Sequence, residues 1–114
     1  NKNKEALEQF QSILKEYKGQ DIEDETLLRI GQTYEKLGDF NAALSQYQII
    51  IDNYKDGIYI DEALYFSAEI YNKQLKDIEK AKALYEQVLF NHEDSIYFVE
   101  ARKKFRQLRG DANL

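Results

Sequence analysis

The sequence predicts an all-α solenoid of antiparallel helix pairs, about three repeat units built from six helices. Three observations predict it. First, the chain repeats itself: DGIYIDEA, Asp56 to Ala63, returns 38 residues later as DSIYFVEA, Asp94 to Ala101, and self-similarity at such a period marks a repeat architecture. Second, apolar residues inside each unit recur at i, i+3, i+4, i+7, the spacing of a helix face and not the alternation of a strand. Third, the stripes break at plausible helix ends, such as Leu37-Gly38-Asp39 and Asp77.

Each element follows from a column of the repeat. The first helix, about 2–18, carries Ala6, Phe10, Ile13, Leu14 and Tyr17. The third, about 40–54, repeats that column as Ala43, Tyr47, Ile50, Ile51 and Tyr54, and the fifth, about 78–92, as Ala81, Tyr85, Val88, Leu89 and His92. The second helix, about 23–37, has its own stripe of Leu27, Ile30, Gly31 and Tyr34, echoed in the fourth, about 59–75, by Leu64, Ser67, Ala68 and Tyr71. The sixth, about 96–109, keeps Phe98, Ala101, Phe105 and Leu108 as its apolar side. The Glu25, Glu62 and Glu100 column opens the second, fourth and sixth helices.

The expected helix ends have local causes. Leu37-Gly38-Asp39 supplies a terminating glycine and then an Asp N-cap for the third helix, and Asp77 supplies the same cap for the fifth. The acidic run Asp21 to Glu25, and Asp61 with Glu62, fall in first turns, where they complement the helix dipole. DGIYIDEA and DSIYFVEA are one inter-repeat turn used twice. Asp56-Gly57 and Asp94-Ser95 make the turn, and Ile58/Ile96 with Tyr59/Tyr97 are expected to pin the next helix on the previous one.

Composition narrows the function classes. The chain has 114 residues, 43% of them hydrophobic, a formal charge of −5 and no cysteine. Without cysteine there is no disulfide framework, no thiolate zinc site and no thiol nucleophile. The negative charge argues against nucleic acid or an anionic membrane as the main partner, and no apolar run reaches the ~18 residues of a membrane helix. The charge is uneven: residues 1–100 hold 11 Lys/Arg against 20 Asp/Glu, whereas residues 101–114 hold five against one.

These columns resemble tetratricopeptide repeats, a helix–turn–helix unit of about 34 residues. The family's first-helix pattern matches Leu27, Ile30-Gly31 and Tyr34. Its second-helix alanine, with an aromatic four residues on, matches Ala43/Tyr47 and Ala81/Tyr85. Two features depart from it. The periods are 37 and 38, through longer inter-repeat turns, and Lys55 and Glu93 stand where a proline is expected. Those turns are similar to repeats of bacterial cell-envelope proteins, both outer-membrane assembly lipoproteins and the Tol–Pal accessory protein. The resemblance implies a right-handed superhelix over residues 1–114 as a single repeat domain, with a partial unit at 1–18, units at 23–54 and 59–92, and a capping helix at 96–109. Small residues at 31 and 68 would let the helices of a hairpin approach closely. Arg102, Arg106 and Arg109 replace the packing stripe of the last helix, as a solvated end cap requires. The chain opens on a second-type helix, so it reads as the C-terminal part of a longer protein, with Leu7, Phe10 and Leu14 partly bare. The compartment implied is the bacterial periplasm or outer-membrane surface, with the cytoplasm open.

Nothing in the sequence assembles a catalytic or metal site. His92, the sole histidine, sits in the tyrosine column and is explained by packing. DNYKDG, Asp52 to Gly57, is similar to a calcium loop but has Tyr54 at a ligand position and Ala63 where the closing Glu belongs. No enzyme activity, cofactor or metal is expected.

By resemblance, the first-type helices line a concave groove that binds a protein or peptide segment. Its residues here would be Leu28, Arg29, Gln32, Glu35, Lys36, Tyr65, Phe66, Glu69, Asn72, Lys73, Lys103 and Gln107. Leu28 and Gln32 stand where the family's carboxylate-clamping Lys and Asn would be, so that mode is not expected. Tyr65 and Phe66 fall outside the repeat columns, and either anchor a partner's apolar side chains or pack on a neighbouring helix. Phe90 belongs to the opposite, convex side. The function implied is an adaptor or scaffold. The alternative is a structural solenoid segment or oligomerisation domain, with self-association possible.

Overall fold

The computed structural model describes residues 2–16 and 23–110, and among these it contains helices and turns and no strand. The elements are α1 (Lys2–Glu16), α2 (Glu23–Lys36), α3 (Phe40–Asn53), α4 (Ile60–Glu69) with a π-helical turn (Ile70–Gln74), α5 (Ile78–Asn91) and α6 (Phe98–Arg109). The six expected helices are present. The Tyr17 position and the Asp21 end of the acidic run lie outside the described residues. The molecule divides into two compact units, residues 1–60 and 61–114.

In the first unit α2 packs against both α1 and α3. With neighbours on two sides it buries a wide band: Asp24, Thr26, Leu27, Leu28, Ile30, Gly31 and Thr33. Gly31 is the closest point of the hairpin. A Cβ at this position would lie 2.4 Å from Cε1 of Tyr47, so only glycine lets the ring lie flat on the α2 backbone. Tyr47 is fully buried and its hydroxyl donates a short hydrogen bond to Glu35. Burial first, then that hydrogen bond and the Glu35 charge, push the Tyr47 phenol far above its ordinary range. By contrast, α1 buries no residue completely: Leu7, Phe10 and Leu14 are half-exposed.

The second unit repeats the plan. Tyr85 and Ala68 are fully buried, α5 packs against α6, and the π turn packs against α5. The apolar side of α6 centres on buried Ala101, with Phe98, Phe105 and Leu108 half-exposed. Arg102, Arg106 and Arg109 are exposed. Two of them lie over rings of their own helix, Arg102 over Phe98 at 5.6 Å and Arg109 over Phe105 at 5.2 Å.

The duplicated turn has the same backbone in both copies. Tyr54 and His92 close α3 and α5 at φ −129° and −141°. Their N–H groups donate to Ile50 and Val88 carbonyls at 2.8 and 3.0 Å, and their own carbonyls accept from Gly57 and Ser95 at 3.0 and 2.9 Å. One expectation for this turn needs correction. Ile58 and Ile96 are 79% and 84% exposed, so they pin nothing; they sit at the outer corner of the turn, and only the tyrosines that follow point inward.

The intra-repeat turns also match, with one added residue. Asp39 and Asp77 cap α3 and α5 by accepting from Ala42 N–H at 3.1 Å and Lys80 N–H at 3.3 Å. Just before them, Gly38 and Lys76 both take left-handed backbone, φ 80° and 57°. Between Tyr34 and Gly38 the helix closes with Leu37 N–H on Thr33 O, four residues back at 3.1 Å. Between Tyr71 and Lys76 there is one residue more, and Leu75 N–H reaches Ile70 O, five back at 3.0 Å. The step in period from 37 to 38 therefore lies inside a helix, which the π turn widens to take it up. The fourth helix expected as one piece over 59–75 is for this reason an α-helix followed by a π turn.

A polar and aromatic face on the second unit

Two features set the exposed side of the second unit apart. The first is a carboxylate hub. Glu69, at the end of α4, has its side chain 17% exposed; its Oε2 lies 2.7 Å from Lys73 Nζ and its Oε1 lies 3.3 Å from Lys104 Nζ. The buried Tyr85 hydroxyl donates to Oε1 at 3.1 Å and accepts from Asn72 Nδ2 at 3.4 Å. Burial pushes the Glu69 carboxyl up, but hydrogen bonds from Lys73 and Tyr65 and the charges of Lys104 and Lys73 outweigh it, so the group lies below the usual carboxylate value. Lys73 is raised in return by its bond to Glu69.

The second feature is an aromatic cluster. Tyr65 and Tyr97 stack at 4.8 Å between ring centroids with planes 23° apart. Phe66 meets Tyr97 edge-on at 6.0 Å, and Tyr65 meets Tyr85 edge-on at 5.8 Å. Tyr65, Phe66 and Tyr97 all keep part of their surface in solvent. Burial, then a hydrogen bond to Glu69 and nearby carboxylates, raise the Tyr65 phenol well above its ordinary range.

The residues expected to line the groove are thus distributed as follows. Tyr65, Phe66, Glu69, Asn72 and Lys73 come together on α4 and the π turn. Lys103 and Gln107 are exposed on α6. In the first unit Arg29 and Lys36 are exposed, Arg29 donates to Gln32 Oε1 at 2.9 Å, and Glu35 is engaged by Tyr47. Leu28 needs correction: it is 1% exposed, because the double-sided packing of α2 takes it into the core, and it offers no surface to a partner. Two contributors were missed. Lys104, beside the expected Lys103, is the lysine that reaches Glu69. Tyr97, read only as a packing residue, is also the platform on which Tyr65 and Phe66 rest. The signal for Tyr97 was its recurrence with Tyr59 in the duplicated turn.

Among the described residues there is no group of three or more His, Cys, Asp or Glu side chains placed to hold a metal ion, and no helix long and apolar enough to cross a membrane. His92 is tied to Asp61, Nδ1 to Oδ1 at 2.9 Å.

Helical hairpins joined by a duplicated turn define the chain as a helical-repeat protein. Tetratricopeptide-repeat family models match residues 25–57 and 61–89, together more than half of the chain, and the chain belongs to the tetratricopeptide repeat family. Repeats of this family generally mediate protein–protein interactions. No curated protein and no solved structure matches the chain.

Proposed function

We propose that the protein is an adaptor that holds a polypeptide segment of a partner against the face formed by α4, the π turn and α6 of the second unit. The observation that carries this reading is the aromatic cluster. Tyr65 and Phe66 stand outside the columns that build the repeat, and they remain part-exposed beside a fixed polar hub. Large aromatics in that setting are suited to anchor a partner's side chains, with the hub orienting its backbone. The test is affinity capture from a lysate of the native cell with the wild-type chain, Tyr65→Ala and Phe66→Ala, after thermal melts show all three folded. A partner that the wild type retains should be lost from both variants, and equal recovery would sink the reading.

A second reading, self-association, is favoured by α1. Its apolar side is half-exposed along Leu7, Phe10 and Leu14, which invites a covering surface. Light scattering over a range of concentrations decides it, because a mass that stays monomeric throughout rules self-association out. The long duplicated turns are what supports a bacterial cell-envelope setting, and fractionation of cells expressing the full-length gene tests that.

A further inference from the structure

We infer that the outer side of α6 docks an acidic amphipathic helix of a partner protein, laid as α3 lies on α2. The case comes from following one stripe through the repeat. Gly31 is where the Tyr47 ring crosses α2, and Leu27 and Tyr34 stand on the same stripe, four residues before it and three after. In α4 and the π turn the stripe returns as Leu64, Ala68 and Tyr71, and in α6 as Arg102, Arg106 and Arg109. Leu27, Leu64 and Ala68 are buried, whereas all three arginines are exposed. The side of α6 that corresponds to the α3-covered side of α2 is therefore open and basic.

Two observations separate this side from one built only for water. Phe98 and Phe105 are kept half-exposed at its edges, each under a guanidinium of the stripe, Arg102 at 5.6 Å and Arg109 at 5.2 Å. Phe105 stands where α2 and α4 bury Ile30 and Ser67, and it is reached from outside through a cleft of about 320 Å³ between α5 and α6. The second observation is charge. Residues 102–109 hold five Lys/Arg and no acid. Lys104 reaches Glu69 from another side of the helix, but Arg102, Lys103 and Arg106 have no carboxylate partner among the described residues. The cleft's acids, Glu79 and Glu86, belong to its α5 wall. The repeat sets the shape of the occupant, a helix, and the stripe sets its sign. Arg106 fills the place where Gly31 admits a ring, so the docked helix carries a carboxylate at the position of Tyr47, with small and aliphatic residues beside it to cover Phe98 and Phe105. A second copy's α1 fits less well: Phe10 would meet Arg106, and its three lysines cancel its three glutamates.

The test is a nuclear magnetic resonance titration of the whole chain with a capped, alanine-based helical peptide. The peptide keeps the Ala43 and Ile50 positions of α3 and has glutamate at the Tyr47 position; its twin has lysine there. The glutamate peptide should give saturable shifts at the Phe98 and Phe105 rings. It should bind about tenfold more tightly than the twin, as expected when an attractive exposed charge contact becomes a repulsive one. Arg106→Glu, an exposed change whose fold a thermal melt checks, should reverse the preference. Tyr65→Ala should leave the titration unchanged, which keeps this result separate from the capture experiment above. Equal binding of the two peptides, no shift at these rings, or a preference that Arg106→Glu does not reverse overturns the inference. Ring shifts that appear on concentrating the chain alone assign the stripe to a second copy and overturn it. Sedimentation with vesicles of phosphatidylcholine and phosphatidylglycerol in equal parts, abolished by Arg106→Glu, assigns it to a membrane and overturns it too.

Discussion

The two units share a hairpin, a duplicated turn and a buried tyrosine, yet they ground that tyrosine differently. In the first, Tyr47 lies on Gly31 and its hydroxyl goes to Glu35, four residues further along α2. In the second, the equivalent of Gly31 is Ala68, so a methyl group stands where a Cβ in the first unit would meet the ring at 2.4 Å. Tyr85 sends its hydroxyl instead to Glu69, directly after that alanine, with Asn72 donating from the other side. One methyl group thus goes with a change of acceptor. The carboxylate it recruits is the one that also gathers Lys73 and Lys104. The first unit spends its polar contacts internally, while the second arranges them along an exposed face.

The largest test of this difference is Gly31→Ala. It should destabilise the chain by about 2 kcal/mol in urea unfolding, because overpacking against a buried ring exceeds the gain in helix propensity. The reverse change, Ala68→Gly, should cost about 1 kcal/mol, mostly from propensity. If Gly31→Ala is neutral, the close crossing does not govern the hairpin.

Next is Glu69→Gln, expected to cost about 1 kcal/mol at neutral pH through the loss of charge-assisted hydrogen bonds. The folded Glu69 carboxyl lies below its ordinary value of 4.5. Its contribution is therefore present above that value and is lost as pH falls through the lower, folded value. Acid titrations of wild type and variant should converge below pH 4.5; a constant gap down to the acid limit would contradict the assignment.

A smaller effect should separate the two intra-repeat turns. Lys76 holds at φ 57° the conformation that Gly38 holds at φ 80°. Lys76→Gly should therefore stabilise by up to about 1 kcal/mol, and Gly38→Ala should destabilise by a similar amount. A melting temperature that falls in Lys76→Gly would show that Lys76 is held by something other than backbone geometry.

The smallest effect concerns the turn column, where one copy has Tyr54 and the other His92. Burial, a hydrogen bond to Glu23 and nearby acids push the Tyr54 phenol from 10.0 up to about 12. A raised pKa gives stability that is complete below the unfolded value and is lost as pH rises toward the folded one. Tyr54→His should accordingly lessen the alkaline loss of stability between pH 10 and 12, as followed by circular dichroism. An unchanged alkaline limb would count against this role.

Much of this was legible in the residues. Ala43, Tyr47 and Ile50 form a column because each repeat buries the same helix face, and such columns survive even when only the residue class is kept. Asp39 and Asp77 announced their caps for a local reason, since the first N–H groups of a helix have no acceptor within it and a carboxylate just before them supplies one. Tyr65 and Phe66 were visible as departures from the pattern. What stayed hidden depended on neighbours that periodicity does not encode. Leu28 read as surface because a helical wheel does not know that α2 has packing partners on two sides. Lys104 differs from Lys103 by a rotation of roughly 100° around the helix, and only the position of Glu69 distinguishes them. The single added residue showed as a step from 37 to 38, but spacing alone could not assign it to a helix when long turns lay close by.

That added residue matters beyond this molecule's packing. Because the coil between Tyr71 and Lys76 widens to absorb it, everything downstream keeps its place, and the next tyrosine still arrives at its alanine. A repeat of this kind can gain a codon in the middle of a helix without losing register. Any search for its relatives that assumes a fixed unit length will slip by one position where the chain itself does not.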